Sequence, residues 1–561
     1  MLAAFTLLLA LPSLAAPAKP QGVTPAPSAA VSDSTQVKTT SVIRGRITSL
    51  DSGKPLRRAQ VQLKAEDDYL GTPRTAATSN DGRYEFRDVP QGRYTLRVQR
   101  SGYLPLSYGQ RRPDEQPRPL EIGSMEVREK IDFALSRMSV ISGRVFDELG
   151  EPVAGATVWA LQRRYFEGRR RLAPIGGNAR TDVTGQYRLL SLPRGDYVVM
   201  ASTRETWPLD SDPRQVFGYA PSYFPGTPVE ARAQPVKVGV GQETADVDFS
   251  LVPGRTSTVR GTATSATGRP LAGGTVTMLQ EISPAASVGS SAVSAKVAGD
   301  GTWTFTNVVP GEYRLWVRAP AGAGQPSQEA QLTIDITGAD VDGLSLVAGS
   351  GGTVRGQVVT DDGSPLPDGF DRMQVRPPFY PGSFRMTSFP TPENGRVSSD
   401  GSFEVQGVRA DTLLSITPLP GSWTLKAIEV DGRDVADRPL PVRDGATLSG
   451  VRIVLTNRPA TVSGVLRDEK HNLVEGTVII FAEDDTKWRE GSRAVRVVRP
   501  DQRGRFVFTG LPSGDYRLIA LGYVQDGQWY DPEFLESVKA RAERVAVGEA
   551  ESKQVDLVIK K

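Results

Sequence analysis

Residues 80–98 read as turn, strand, turn, strand, and that grammar limits what the chain can become. Asp81-Gly82 supplies the first turn, because glycine tolerates the positive φ of a tight reversal. Tyr84 and Phe86 then alternate with Arg83, Glu85 and Arg87, the period-two mark of a strand with one buried face. Val89-Pro90-Gln91-Gly92 turns the chain again. Tyr94, Leu96 and Val98 point one way, and Arg93, Thr95 and Arg97 the other. The unit returns at 185–199, 300–315 and 504–518. A further copy starts well at Asp400-Gly401-Ser402-Phe403 and then decays, since Val408-Arg409-Ala410-Asp411 lacks the proline and the glycine.

Each copy has an upstream strand of the form V-x-G-x-V, centred on Gly45, Gly143, Gly261, Gly356 and Gly464. The glycine shares a face with its two apolar neighbours, and glycine inside a strand marks the close approach of another backbone. Each copy closes on a short apolar strand, at 131–135, 247–251, 344–347, 451–455 and 555–559. The glycines recur roughly every 95 to 120 residues, a domain-sized period. Six or seven short strands per period predict a β-sandwich with its own core.

Three elements carry a family resemblance. They are the V-x-G-x-V strand, the turn and strand Gly150-Glu151-Pro152-Val153-Ala154-Gly155-Ala156-Thr157-Val158, and the D-x-x-G-x-[YF]-x-[FL]-x-x-[VL]-P-x-G-x-Y-x-[LV] core. Together they resemble the carboxypeptidase regulatory-like domain, a transthyretin-like β-sandwich of the carbohydrate-binding-like (starch-binding-like) fold group. The resemblance covers nearly everything after Ser41, strongest in modules 1, 2 and 5 and weakest in 4. It implies an all-β tandem array of about five seven-stranded β-sandwich modules. The expected boundaries are 41–137, 138–254, 255–350, 351–457 and 458–561. Such domains serve as accessory modules on peptidases, glycan-active enzymes and outer-membrane receptors, so the resemblance points to a fold more sharply than to a function.

The ends and the composition narrow the class. Leu2 to Leu14 is almost wholly apolar, and Ala16-Pro17-Ala18 offers a cleavage site, so 1–18 reads as a secretory signal peptide. Residues 19–40, rich in Pro, Ala, Ser and Thr, read as a linker. Location is then expected to be secreted, cell-surface or periplasmic, with no transmembrane span. The 57 glycines and 42 prolines suit many turns. With no cysteine, disulfides, thiolate metal sites and cysteine nucleophiles are excluded. A formal charge of +3 argues against a nucleic-acid partner.

Few groups could carry chemistry. Asp51-Ser52-Gly53 matches the aspartic-protease tripeptide, but no second copy exists to share a proton, and a turn is expected there. His471 is the only histidine, too few for a two-His zinc site. Asp468 lies near enough for a triad, yet His471 stands where module 2 has the turn residue Gly150. The repeated Asp-x-x-Gly turns lack the dense carboxylate ladder of a calcium loop. No catalytic residue, metal or cofactor is therefore assigned.

Candidate ligand contacts are aromatic. Module 2 carries Phe217-Gly218-Tyr219-Ala220-Pro221-Ser222-Tyr223-Phe224-Pro225-Gly226-Thr227, and module 5 carries Gln528-Trp529-Tyr530. Rings at a loop can stack on the apolar face of a sugar, which makes Tyr219, Tyr223, Phe224, Trp529 and Tyr530 the candidates. The module 2 rings equally suit a cap on the open end of the sandwich, the favoured role. The aromatic-proline theme returns at 377–382, and residues 321–324 look like a spacer. The basic run 163–171 is expected to be a solvated hairpin or a contact for an anionic glycan, lipid headgroup or phosphate. Residues 533–545 are expected to hold one short helix. The leading expectation is a non-catalytic exported binding or scaffold protein, with a polysaccharide or a cell-envelope protein as partner. The alternatives are a structural or protein-interaction role with no small ligand and, remotely, the accessory part of a peptidase.

Overall fold

The first expected module, residues 41–137, runs through nine short strands: β1 (Ser41–Ser49), β2 (Gln60–Ala65), β3 (Arg74–Ala77), β4 (Arg83–Val89), β5 (Gly92–Gln99), β6 (Leu106–Ser107), β7 (Leu120–Ile122), β8 (Val127–Arg128) and β9 (Phe133–Leu135). The computed structural model describes residues 41–559 except 67–71, 113, 167, 284–285, 288–291, 320–327, 377–394 and 410–411. The expected signal peptide and linker, the 377–382 segment and the 321–324 spacer lie outside the described residues.

β1 is the hub of one sheet, antiparallel to β4 and parallel to β8 and then β9. The other sheet has the order β3-β2-β5, with β6 and β7 both paired to β5. The motif at 80–98 is thus divided between sheets, and Val89-Pro90-Gln91-Gly92 carries the chain across the sandwich. Tyr84 and Phe86 meet Tyr94, Leu96 and Val98 in one core with Ile43, Ile47, Val61 and Leu63. The strand count exceeds the expected seven because the return to β1 breaks into pieces of two or three residues.

Each V-x-G-x-V glycine marks a close approach. A methyl group at Gly45 would fall 1.9 Å from the Ile131 carbonyl oxygen. The equivalent positions at Gly143, Gly261, Gly356 and Gly464 would meet the carbonyls of Val247, Leu344, Val451 and Val555 at 2.2, 2.3, 1.9 and 1.9 Å. The closing strand crosses the hub here, where β1 changes partner from β8 to β9. In modules 1 and 2 the hydroxyls of Tyr84 and Tyr187 donate to those same carbonyls, each at 2.7 Å.

A second constant is the bulge before the V-P turn. Asp88, Ser191 and Asn307 hold φ of 53°, 65° and 57°, a region that glycine fills in Gly407 and Gly510. In modules 1 to 4 the register slips at this point, with two residues facing one. The tyrosine of P-x-G-x-Y then ties the turn. Tyr94, Tyr197, Tyr313 and Tyr516 donate to the carbonyl four residues earlier, at 2.9, 2.6, 3.0 and 2.7 Å.

Among the described residues, hydrophobic side chains gather into cores over 43–135, 141–251, 259–348, 354–455 and 460–557. Module 2 adds the hairpin Thr157–Phe166 with Arg169–Arg180. It also adds a three-stranded sheet of Thr206–Leu209, Asp212–Ala220 and Val252–Arg255. Val252–Arg255 is the connection into module 3, so that linker is held as a strand. Module 4 departs most. Thr424–Val430 and Arg433–Asp434 extend its first sheet beyond the closing strand Thr447–Thr456, around a turn at Asp431-Gly432.

The helix is shorter than expected. α1 (Pro532–Lys539) starts where the Asp531 side chain accepts from the Glu533 N–H, with proline in its first turn. Residues Glu543–Val547 form a strand instead, because Val545 and Val547 alternate inward against Gly514–Leu521.

Candidate functional site

The module 2 aromatics lie partly in strands. Tyr219, in Asp212–Ala220, is 5% exposed. Its ring centroid stands 4.7 Å from that of Trp207, and its hydroxyl donates to Glu148 Oε2 at 2.7 Å. Burial, then the Glu148 carboxylate, pushes that hydroxyl above its ordinary pKa. Tyr223, in Ser222–Tyr223, pairs with Met200 and packs on a small cluster with Trp159, Leu161 and Leu172. Burial raises its hydroxyl to about 12. Phe224 meets Phe249 edge-on at 6.2 Å. The stretch read as a loop is ordered because Val252–Arg255 pairs with it, a partner outside any local window.

In module 5, Trp529 is 5% exposed. It packs with Ile479, Phe481, Trp488, Leu535 and Val538 in a cluster between the outer face of a sheet and α1. Tyr530 is half-buried beside it, with centroids 5.9 Å apart. The five candidates thus form two separate groups, one per module.

The groups with catalytic potential are committed to turns. His471 has φ 64°, and its N–H donates to the Asp468 carbonyl at 2.9 Å. Asp468 Oδ1 accepts from the N–H groups of Lys470 and Asn472 at 2.9 and 2.8 Å. Asp51 accepts from the Ser49 hydroxyl and pairs with Arg137 at 3.1 Å. In the Asp-x-x-Gly turns, Asp182 and Asp501 each accept two backbone N–H bonds of their own turn. Among the described residues no group of three or more His, Asp or Glu side chains is placed to hold a metal.

Buried charge sits between modules instead. The described residues from Ser41 onward form one compact unit, and module 5 touches modules 4, 1 and 2 within it. Arg493 binds Asp437 of module 4 at 2.8 Å, with both side chains 7% exposed, and also reaches Asp434 at 2.7 Å. Burial alone would raise the Asp437 carboxyl, and the Arg493 guanidinium more than offsets that, so it lies below the ordinary range. Arg499 extends into module 1, to Glu115 at 3.4 Å and the Gln116 carbonyl at 3.1 Å. Arg118 of module 1 returns the contact, to Glu475 at 3.2 Å and the Asp501 carbonyl at 3.0 Å. Three modules meet at Asp114. It pairs with Arg164 of module 2 at 3.0 Å and accepts from Tyr523 of module 5 at 2.9 Å.

A family model described as the carboxypeptidase regulatory-like domain matches residues 42–123 and again 140–252. The match thus spans the first two modules and marks each of them as a carboxypeptidase regulatory-like domain. No curated protein matches it. Among solved structures, it is similar to the Bacillus anthracis TIE protein at 13% identity, over 55% of this chain and 51% of that one, with a TM-score of 0.17. It is similar to a streptococcal ancillary pilin at 14% identity, over 55% of this chain and 98% of that one, with a TM-score of 0.20. For the minor pilin of Streptococcus agalactiae the values are 13%, 38%, 96% and 0.21.

Nothing in the regulatory-like domain motif signals the junctions. Arg493, Arg499 and Asp114 lie in turns or strand ends of ordinary polar composition. A hint lay in the clustered arginines Arg111, Arg112 and Arg118 and Arg163 and Arg164, of which Arg118 and Arg164 lie at junctions.

Proposed function

We propose that this chain is an exported, non-catalytic binding or scaffold protein of the cell envelope, with carbohydrate as its ligand class. The observation that supports the reading is where its buried charge lies. Arg493, Asp437 and Arg499 hold modules to one another, while Asp51, Asp468 and His471 belong to turns. An array held in this way presents several surfaces at fixed separations, which favours partners with repeated features. Carbohydrate enters through the fold group that the domain resembles. Tyr223, Phe224 and Tyr530 keep part of their surface in solvent and are the proposed contacts. Tyr219 and Trp529 support them as packing. Export places the mature N-terminus near Lys19, which mass spectrometry of the secreted chain reads directly.

A structural role without a small ligand is favoured by the burial of Tyr219 and Trp529, each 5% exposed. A glycan array separates the two, with the mature chain beside a Tyr223→Ala, Tyr530→Ala double variant. Binding that disappears in a variant with unchanged thermal unfolding supports carbohydrate recognition at these rings. A mature chain that binds no glycan removes the ligand class and leaves the scaffold.

A further inference from the structure

The basic hairpin of module 2 faces a recess. Modules 1, 2 and 5 enclose a cleft of about 810 Å³, a volume in the range of small-ligand sites. Seven arginine and lysine side chains line it against two carboxylates, Asp114 and Asp196. Arg111, Arg163 and Arg164 are engaged by Glu475, Glu230 and Asp114. Arg112, Arg170, Arg194 and Lys237 have no carboxylate at ion-pair distance among the described residues. Arg112 lies over the Tyr523 ring at 4.9 Å. Asp196 is the cross-strand neighbour of Lys237, so it moderates the positive field without cancelling it.

These cations come from separate elements. Arg170 is on the hairpin strand Arg169–Arg180, and Arg194 is in the turn that crosses the sandwich. Lys237 points outward from Val236–Val238 because its two neighbours point into the core. Arg112 arrives from module 1, and Asp114 pins module 1 to modules 2 and 5 beside it. Like charges gathered in a recess repel one another until an anion enters, and a low-dielectric wall strengthens its attraction.

We propose that this cleft binds an acidic polysaccharide, whose carboxylates are taken by Arg112, Arg170, Arg194 and Lys237. The proposal rests on the reading of carbohydrate as the ligand class and names its charge and its place. Guanidinium forks match carboxylates in bidentate geometry. A recess of this shape suits a chain end or a short bend of polymer and not a flat bilayer. Its one exposed ring, Tyr523, is covered by Arg112, which leaves no stacking platform for single-stranded nucleic acid.

The test is calorimetric titration of the full mature chain with polygalacturonate oligomers of defined length. The same oligomers after carboxyl reduction, dextran sulfate and single-stranded DNA of matched charge are the comparisons. The expected result is salt-sensitive binding of polygalacturonate and none of the reduced oligomer. An Arg170→Ala, Arg194→Ala, Lys237→Ala variant should weaken that binding by at least about tenfold with unchanged thermal unfolding. A matched Arg83→Ala, Arg214→Ala, Arg269→Ala variant should not change it. If the first triple variant unfolds early, single Arg170→Gln and Lys237→Gln variants carry the comparison. Unchanged affinity in the cleft variants overturns the site, as does equal or tighter binding of DNA or dextran sulfate. Neutral-glycan binding without polygalacturonate binding overturns the acidic ligand and leaves the broader carbohydrate reading intact.

Discussion

Gly464 has no room for one more carbon. A methyl group there would lie 1.9 Å from the Val555 carbonyl oxygen and 2.8 Å from the Phe506 ring. Neither neighbour yields easily, since one is backbone and the other fills the module 5 core. Gly464→Ala should therefore cost about 3 kcal/mol or more, read as a lowered unfolding midpoint for module 5. Tyr516→Phe is a milder change at the same scale. It deletes the donor to the Pro512 carbonyl and should cost about 1 kcal/mol by denaturant titration. Both residues were legible as motif positions. The glycine's role followed from its face, since the V-x-G-x-V pattern placed it among inward residues. The tyrosine's hydrogen bond did not, because its partner is set by the shape of the turn and not by alternation.

At the scale of elements, strands that alternate against their own turn were readable, and strands that depend on a distant partner were not. Arg83–Val89 and Gly92–Gln99 show period two within seven or eight residues. Phe217 to Ala220 reads as loop because its partner, Val252–Arg255, arrives more than thirty residues later with Pro253 and Gly254 in it. The helix was found but misplaced at its end, since Ala540-Arg541-Ala542 is compatible with continuation until Val545 and Val547 require a strand. Its start is a cap, and that can be checked. Asp531→Ala removes the acceptor for the Glu533 N–H and should destabilise module 5 by about 1 kcal/mol. Circular dichroism and thermal unfolding of the variant would show it.

The whole molecule is held by contacts that acid should affect in opposite directions. Arg493→Ala would strand Asp437 in a buried junction at a cost of about 3–5 kcal/mol, exposing the 456–460 connection to limited proteolysis. The Asp437 contribution is complete above the ordinary aspartate pKa and is lost as the pH falls through its lowered value. Glu121 of module 1 behaves in reverse. Burial first, then a hydrogen bond to the Asp501 carboxylate of module 5, raises its pKa. Asp501 is 4% exposed, and its Oδ2 has no hydrogen-bond partner among the described residues. The Glu121 contribution is complete below the ordinary glutamate pKa and is lost as the pH rises through the raised value. Glu121→Gln should raise the unfolding temperature at pH 7, leave it unchanged in mild acid, and flatten the pH profile between them.

The amino-acid sequence alone determined the all-β class, the repeating unit and the inward face of most strands. Those properties reside in alternation and turn chemistry over spans of about ten residues, where local rules dominate. It also placed the crossing glycines, because a residue without a side chain on a buried face leaves a gap that another backbone fills. Only the tertiary structure decided that module 5 returns to module 1, that the aromatic stretches largely pack inward, and that scattered arginines share one cleft. The return of module 5 depends on residues hundreds of positions apart meeting at ion-pair distance, as Arg499 and Glu115 do at 3.4 Å. An arginine in a turn has the same local sequence whether it faces water or a partner module. Its environment is set by the docking of whole sandwiches, which no periodicity records.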